Sequence, residues 1–257
     1  MAPQREACIL MYHSLTGEPG AYDVPPALFE AHLDALADAG ARVVPVGDVA
    51  AGAAPEGEGP VVAITFDDAH ATVAEVAAPL LAVRGWPACV YTVSGWLDRP
   101  DHLAAEALRD LAAAGWTVGS HGATHDFLAG LGAADLAAEL EGSRAALSEA
   151  SGTDVVHLAL PGGRGGRREA DAARGAGYHS LATSRTGMAQ AGGDPFALPR
   201  IAIGPGTRAD DLRKAIAGKW SFHGPARARQ WVLDAGKRAL GDERYHRLWK
   251  RLRGQRA

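Results

Sequence analysis

Two acidic residues stand side by side at Asp67-Asp68, directly after the apolar run Val61-Val62-Ala63-Ile64-Thr65-Phe66. Ionised carboxylates at the end of a buried strand must be paired or bound to a metal, because an isolated charge is too costly where water is scarce. Neighbouring side chains point different ways, so one carboxylate can hold a metal while the other takes a different role, such as general base. Two imidazoles follow in Ser120-His121-Gly122-Ala123-Thr124-His125, at a spacing that brings both to one face at a loop-to-helix start. One of the two aspartates, together with His121 and His125, makes a three-ligand set with open positions, which suits zinc catalysis. Either half alone is weak: an Asp-Asp pair is most often a turn or helix cap, and a His-x3-His pair is most often incidental helix surface.

The elements that must position these groups are read from periodicity. Short apolar runs at 7–12, 42–46, 61–65, 88–93, 117–119, 155–160, 180–183 and 200–203 alternate with helical patterns at 27–39, 72–84, 102–114, 133–150 and 169–176. This alternation predicts an α/β fold of βα units around a parallel sheet or barrel. Gly40, Gly85, Gly115 and Gly177 stand where left-handed helix C-caps are expected, and residues 52–60 read as a loop between units. In parallel barrels the loops after the strands converge on one mouth. His13, the Asp67-Asp68 pair, His121 with His125, and the Pro161-Gly162-Gly163 turn all follow predicted strands, so all four clusters face the same cleft.

A chain of 257 residues with 47% hydrophobic content can bury a substantial core. The formal net charge of −4 gives no basic footprint for nucleic acid. Cys8 and Cys89 lie in apolar runs and are expected as free buried thiols. The N-terminus does not read as a secretory signal and no apolar run is long enough to span a membrane, so the expected location is cytoplasmic.

The strings Thr65-Phe66-Asp67-Asp68, Ser120-His121-Gly122-Ala123-Thr124-His125 and Pro161-Gly162-Gly163 resemble the first three motifs of the polysaccharide deacetylases, carbohydrate esterase family 4. Met11-Tyr12-His13-Ser14, with Phe29, Glu30 and Leu33 and then Val43-Val44-Pro45-Val46, is similar to the subgroup containing the poly-N-acetylglucosamine deacetylases. The resemblance implies a distorted (β/α) barrel of about seven parallel strands. It further implies a divalent metal, Zn²⁺ or another such as Co²⁺, on Asp68, His121 and His125. Asp67 would be the general base, His13 the general acid, and the backbone N–H of Gly162 an oxyanion donor. The implied substrate is an N-acetylated amino sugar, and the expected cytoplasmic location favours a nucleotide-linked, lipid-linked, small-molecule or oligosaccharide carrier.

Three departures stand out. The arginine usual before the third motif is absent, which leaves Arg164 and Arg200 as the cations available to orient Asp67. Ala69 stands where glycine commonly follows the aspartates, and a positive φ there would cost alanine about 1–2 kcal/mol. The acidic fourth motif is replaced by Thr183-Ser184-Arg185-Thr186-Gly187. Two other readings stay open: a barrel amidohydrolase acting on a non-sugar amide or cyclic ureide, and a catalytically silent carbohydrate-binding domain.

Residues 1–206 are expected to form the barrel and 207–257 a C-terminal helical extension packed on or beside it. The stretch from Arg208 onward holds 14 Lys and Arg against 5 Asp and Glu, interleaved with Trp220, Trp231, Tyr245 and Trp249. Such helices can lie on anionic lipid or face a phosphorylated substrate. A solvated helix docked on the barrel is preferred over peripheral membrane contact.

Overall fold

In β3 (Val61–Asp67) all seven residues are buried, as a central strand covered on both faces requires. The computed structural model describes residues 6–53 and 57–219. Before β3 come β1 (Glu6–Tyr12), α1 (Pro26–Asp38), β2 (Arg42–Val43) and α2 (Val46–Ala51). After it a π-helical turn at Val73–Ala77 runs into α3 (Ala78–Ala82), followed by β4 (Cys89–Thr92), α4 (Ala105–Ala113), β5 (Thr117–Ser120) and α5 (Ala133–Ser151). The described part closes with β6 (His157–Ala159), α6 (Arg167–Gly175), β7 (Ser180–Ala182), β8 (Ala189–Gln190), β9 (Ile201–Ala202) and α7 (Ala209–Ile216).

The fold is α/β, with a main sheet path of β7-β6-β5-β4-β3-β1-β8. The path from β7 to β1 is parallel throughout, and β8 is antiparallel to β1. One edge of β3 pairs with β1, and the other is shared by β2 at Val61 and Val62 and by β4 from Thr65 onward. Leu198 forms a parallel bridge to Ala182 of β7, and Ile201 of β9 pairs with Leu10 of β1. Residues 198–202 therefore join the two ends of the sheet, giving the distorted barrel.

The strand alternation divides the core in two. Val62, Ile64 and Phe66 face outward and pack with helix residues such as Leu33, Leu36 and Leu81. Ala7, Ile9, Val61, Ala63, Cys89, Tyr91, Ala159 and Ala182 fill the interior, mostly with small side chains. Gly119 belongs to this interior, where a Cβ would lie 2.5 Å from Cδ1 of Tyr91. The small residues leave room for large groups at the mouth.

Several sequence expectations are corrected. The strand expected at 42–46 stops at Val43 and α2 starts at Val46, because Pro45 has no N–H to offer a ladder and its fixed φ suits a helix start. Val46 and Val49 then pack with the interior residues at the lower end of the barrel. The strands expected at 155–160 and 200–203 narrow to β6 and β9, and β8 was not anticipated. Gly40, Gly85, Gly115 and Gly177 take φ of +60°, +64°, +88° and +86°. Cys8 and Cys89 are free and buried.

Of the expected C-terminal extension, the part up to residue 219 is described. Here α7 packs on α1, with Arg213 Nη2 3.0 Å from Asp38 Oδ2, and His32 Nε2 donates to the Thr207 carbonyl at 2.7 Å. The basic stretch containing Trp220, Trp231, Tyr245 and Trp249 lies outside the described residues. Among the described residues no helix is long and apolar enough to cross a membrane.

Candidate active site

Asp67 is the last residue of β3 and shares the inward face with Thr65, so its carboxylate enters the top of the barrel interior. Arg200, fully buried just before β9, meets it side-on: Nη1 donates to Oδ1 at 2.6 Å and Nη2 to Oδ2 at 2.7 Å. Arg200 Nε donates to the Thr183 carbonyl at 3.0 Å, and its guanidinium lies 5.4 Å from the Tyr91 ring centroid. Burial raises the Asp67 carboxyl, but Arg200 and then His121 more than offset this and hold it below the ordinary carboxylate value. Arg164, the other cation considered for this task, is placed elsewhere, with its guanidinium 4.4 Å from the Phe127 ring centroid.

Alternation alone would send Asp68 outward to the helices. Instead Asp68 and Ala69 take φ of +69° and +53°, and this double left-handed turn brings Asp68 to the mouth. Each such non-glycine residue costs about 1–3 kcal/mol and persists only where its surroundings over-determine it. The determining contacts are Leu103 N–H donating to the Ala69 carbonyl and Ala71 N–H donating to the Asp101 carbonyl, both at 2.9 Å.

His121 follows β5 and is buried. Its Nδ1 lies 2.9 Å from the Ala159 carbonyl, which can only accept, so Nδ1 carries the proton and Nε2 keeps its lone pair. That Nε2 faces Asp68 Oδ1 at 3.5 Å and Asp67 Oδ2 at 3.8 Å. Burial lowers the His121 imidazole, against Asp67 and Asp68, which raise it; the net shift is downward, favouring the neutral ring. His125, also at positive φ (+68°), brings Nε2 to 3.3 Å from Asp68 Oδ1, and its ring stacks on Trp96 with centroids 5.0 Å apart.

The ligand atoms of Asp68, His121 and His125 all lie within 4.8 Å of one another. Asp68 Oδ1 is buried without a hydrogen-bond partner, and two imidazole nitrogens converge on it. One carboxylate oxygen and two imidazoles, one of them oriented by a backbone carbonyl, form the donor set of a divalent transition-metal site. These residues therefore fit a metal.

His13 follows β1. Its Nδ1 is buried with no hydrogen-bond partner. The ring stacks on Tyr22 at 4.7 Å and 17°. Asp23 ties the loop behind it: Oδ2 accepts from the hydroxyls of Ser14 and Thr16, and Oδ1 accepts from Gly17 N–H at 2.6 Å. Gly162 sits exposed in a 3₁₀ turn with φ +61°, where a Cβ would come 2.4 Å from Phe127 Cε1. Only glycine gives the turn both that conformation and that closeness to Phe127.

Sequence reading passed over Tyr22, Asp23, Tyr91 and Trp96. The signal available for Trp96 was its place after β4, at the same mouth as the other strand-end groups.

The pattern of the polysaccharide deacetylase family matches residues 54–181. YxkH of Bacillus subtilis (strain 168), a protein assigned to the polysaccharide deacetylases, is 27% identical over 200 residues, 77% of this chain and 71% of its own. Among solved structures, the Streptococcus pyogenes deacetylase PplD, solved with acetate, superposes with a TM-score of 0.75 at 22% identity, covering 83% of this chain and 99% of its own. IcaB from Ammonifex degensii superposes with a TM-score of 0.73 at 24% identity, covering 85% and 97%. These two share the fold described above. The chain carries a polysaccharide deacetylase domain and is a hydrolase of the class that family defines, acting on amide bonds.

Proposed function

We propose that this protein removes the acetyl group from N-acetylated amino sugar units of a glycan, using a divalent metal held by Asp68, His121 and His125. The observation that carries the reading is the convergence of those three ligands within 4.8 Å, next to an Asp67 locked by Arg200. When bound, Zn²⁺ or a similar ion such as Co²⁺ supplies Lewis acidity to the acetyl carbonyl and makes water a better nucleophile near neutral pH.

The chain's own groups do the rest. Arg200 keeps Asp67 ionised in a buried setting that would otherwise protonate it. Each carboxylate oxygen has a second lone pair beyond the one Arg200 uses, so Asp67 can still accept the proton of the attacking water. The N–H of Gly162, in its exposed turn, is the donor for the negative charge that develops on the carbonyl oxygen. Such a donor typically contributes about 2.7–4 kcal/mol to the transition state. His13 as imidazolium gives the leaving amine its proton, and the stack with Tyr22 sets the ring's angle.

The test is acetate release from free, nucleotide-linked, oligomeric and polymeric N-acetylamino sugars, with metal-stripped protein and Asp68→Ala as controls. Expected is release from a sugar substrate that falls with metal removal, returns on metal addition, and is lost in the variant. Undiminished activity without metal, or activity confined to non-sugar amides, would overturn the reading.

A further inference from the structure

Helix α5 carries Leu136, Leu140 and Leu147 into the core, and two buried polar residues, Glu139 and Ser143, share that face one turn apart. A buried acid there needs partners. Glu139 Oε1 accepts from the N–H of Ala123 at 2.8 Å, the N–H of Thr124 at 2.7 Å and the Thr124 hydroxyl at 3.0 Å. Ser143 Oγ accepts from Ser120 Oγ at 2.9 Å, and Ser120 Oγ in turn accepts from Gly122 N–H at 3.1 Å. The loop wraps the carboxylate so closely that a Cβ on Gly122 would sit 2.9 Å from Glu139 Oε1.

The loop held in this way leads into His125, a non-glycine residue at φ +68°. A backbone in that region relaxes unless its neighbours forbid it. The two amides that Glu139 grips are those of the residues just before His125.

We propose that Glu139 is a positioning residue for the metal centre: by holding the amides of Ala123 and Thr124 it keeps His125 in its left-handed conformation, with Nε2 facing Asp68. This rests on the reading of Asp68, His121 and His125 as metal ligands. Glu139 touches none of the ligand atoms itself. It acts through the backbone, as residues behind metal ligands do.

The experiment measures Zn²⁺ affinity by competition with a chromophoric chelator for the wild type, Glu139→Ala and Glu139→Gln. Amide exchange at Ala123 and Thr124 is followed in the metal-free proteins. Glu139→Ala is expected to weaken Zn²⁺ binding about 10- to 100-fold and to speed exchange at those two amides while the amides of β3 and β5 stay protected. Glu139→Gln keeps a carbonyl acceptor in place and is expected to bind within a few-fold of the wild type. Should Glu139→Ala fail to fold, Glu139→Asp, whose carboxylate falls one methylene short, takes its place with the same expectations. Unchanged affinity in the shortened or truncated variant overturns the inference, as does equal weakening in Glu139→Gln. A wild type that binds no Zn²⁺ overturns the metal reading instead, a separate result.

Discussion

Asp67 and Arg200 are both almost wholly buried, and two opposite charges in that setting hold each other in place at a large desolvation cost. The bidentate contact and the further bond to the Thr183 carbonyl offset that cost; removing one partner leaves the other charged and alone. Arg200→Met is therefore expected to lower stability by about 3–5 kcal/mol. It should also lower kcat/KM about 10²-fold, because Asp67 loses its fixed angle. Adding Asp67→Asn removes the stranded charge, so the double variant should regain most of the stability and none of the activity. Denaturant midpoints and acetate-release rates measure the two effects. Strictly additive stability losses would contradict the pairing.

The segments between strands carry much of the site, and the turn after β1 shows how one side chain organises such a segment. Burial raises the Asp23 carboxyl, yet the bonds from Ser14, Thr16 and Gly17 outweigh it and hold the group below its ordinary value. A depressed carboxyl stabilises the fold above its unfolded pKa, and that contribution is lost as pH falls through the folded value. Asp23→Asn is thus expected to be less stable at pH 7 by about 2 kcal/mol. The gap between variant and wild type should close as pH drops below about 4; thermal melts across the acid range measure it, and a constant gap would contradict it. The apolar runs of β1, β3, β4 and β5 could be read from sequence because they are long enough to show a pattern. Asp68, His121 and His125 could be picked out because they follow the ends of those runs. The two-residue strands β8 and β9 have no period to detect. Arg200 was recognisable as a cation, but nothing along the chain marks a carboxylate so distant in sequence as its partner. Glu139 lies three residues after Leu136 on the apolar face of α5, a position that periodicity alone treats as an ordinary helix acid.

For the whole molecule, the proposed ligand set of Asp68, His121 and His125 comes together only when the barrel is assembled. Asp68 comes from the turn after β3 and the two histidines from the loop after β5, with β4 between these strands in the sheet. The unfolded chain holds Asp68 far from the two histidines, so an ion that bridges all three binds the native state and stabilises it by mass action. At a free ion concentration 100-fold above Kd the gain is about 2.7 kcal/mol. For a domain of this size that corresponds to a Tm rise of about 5–10 °C. Zn²⁺ is therefore expected to raise the melting temperature of chelator-treated protein by that amount, chelator to reverse it, and Asp68→Ala to show no rise. An equal rise in Asp68→Ala would mean that the stabilising ion sits elsewhere on the chain, while no rise in the wild type at saturating Zn²⁺ would remove the ligand set from the metal reading altogether.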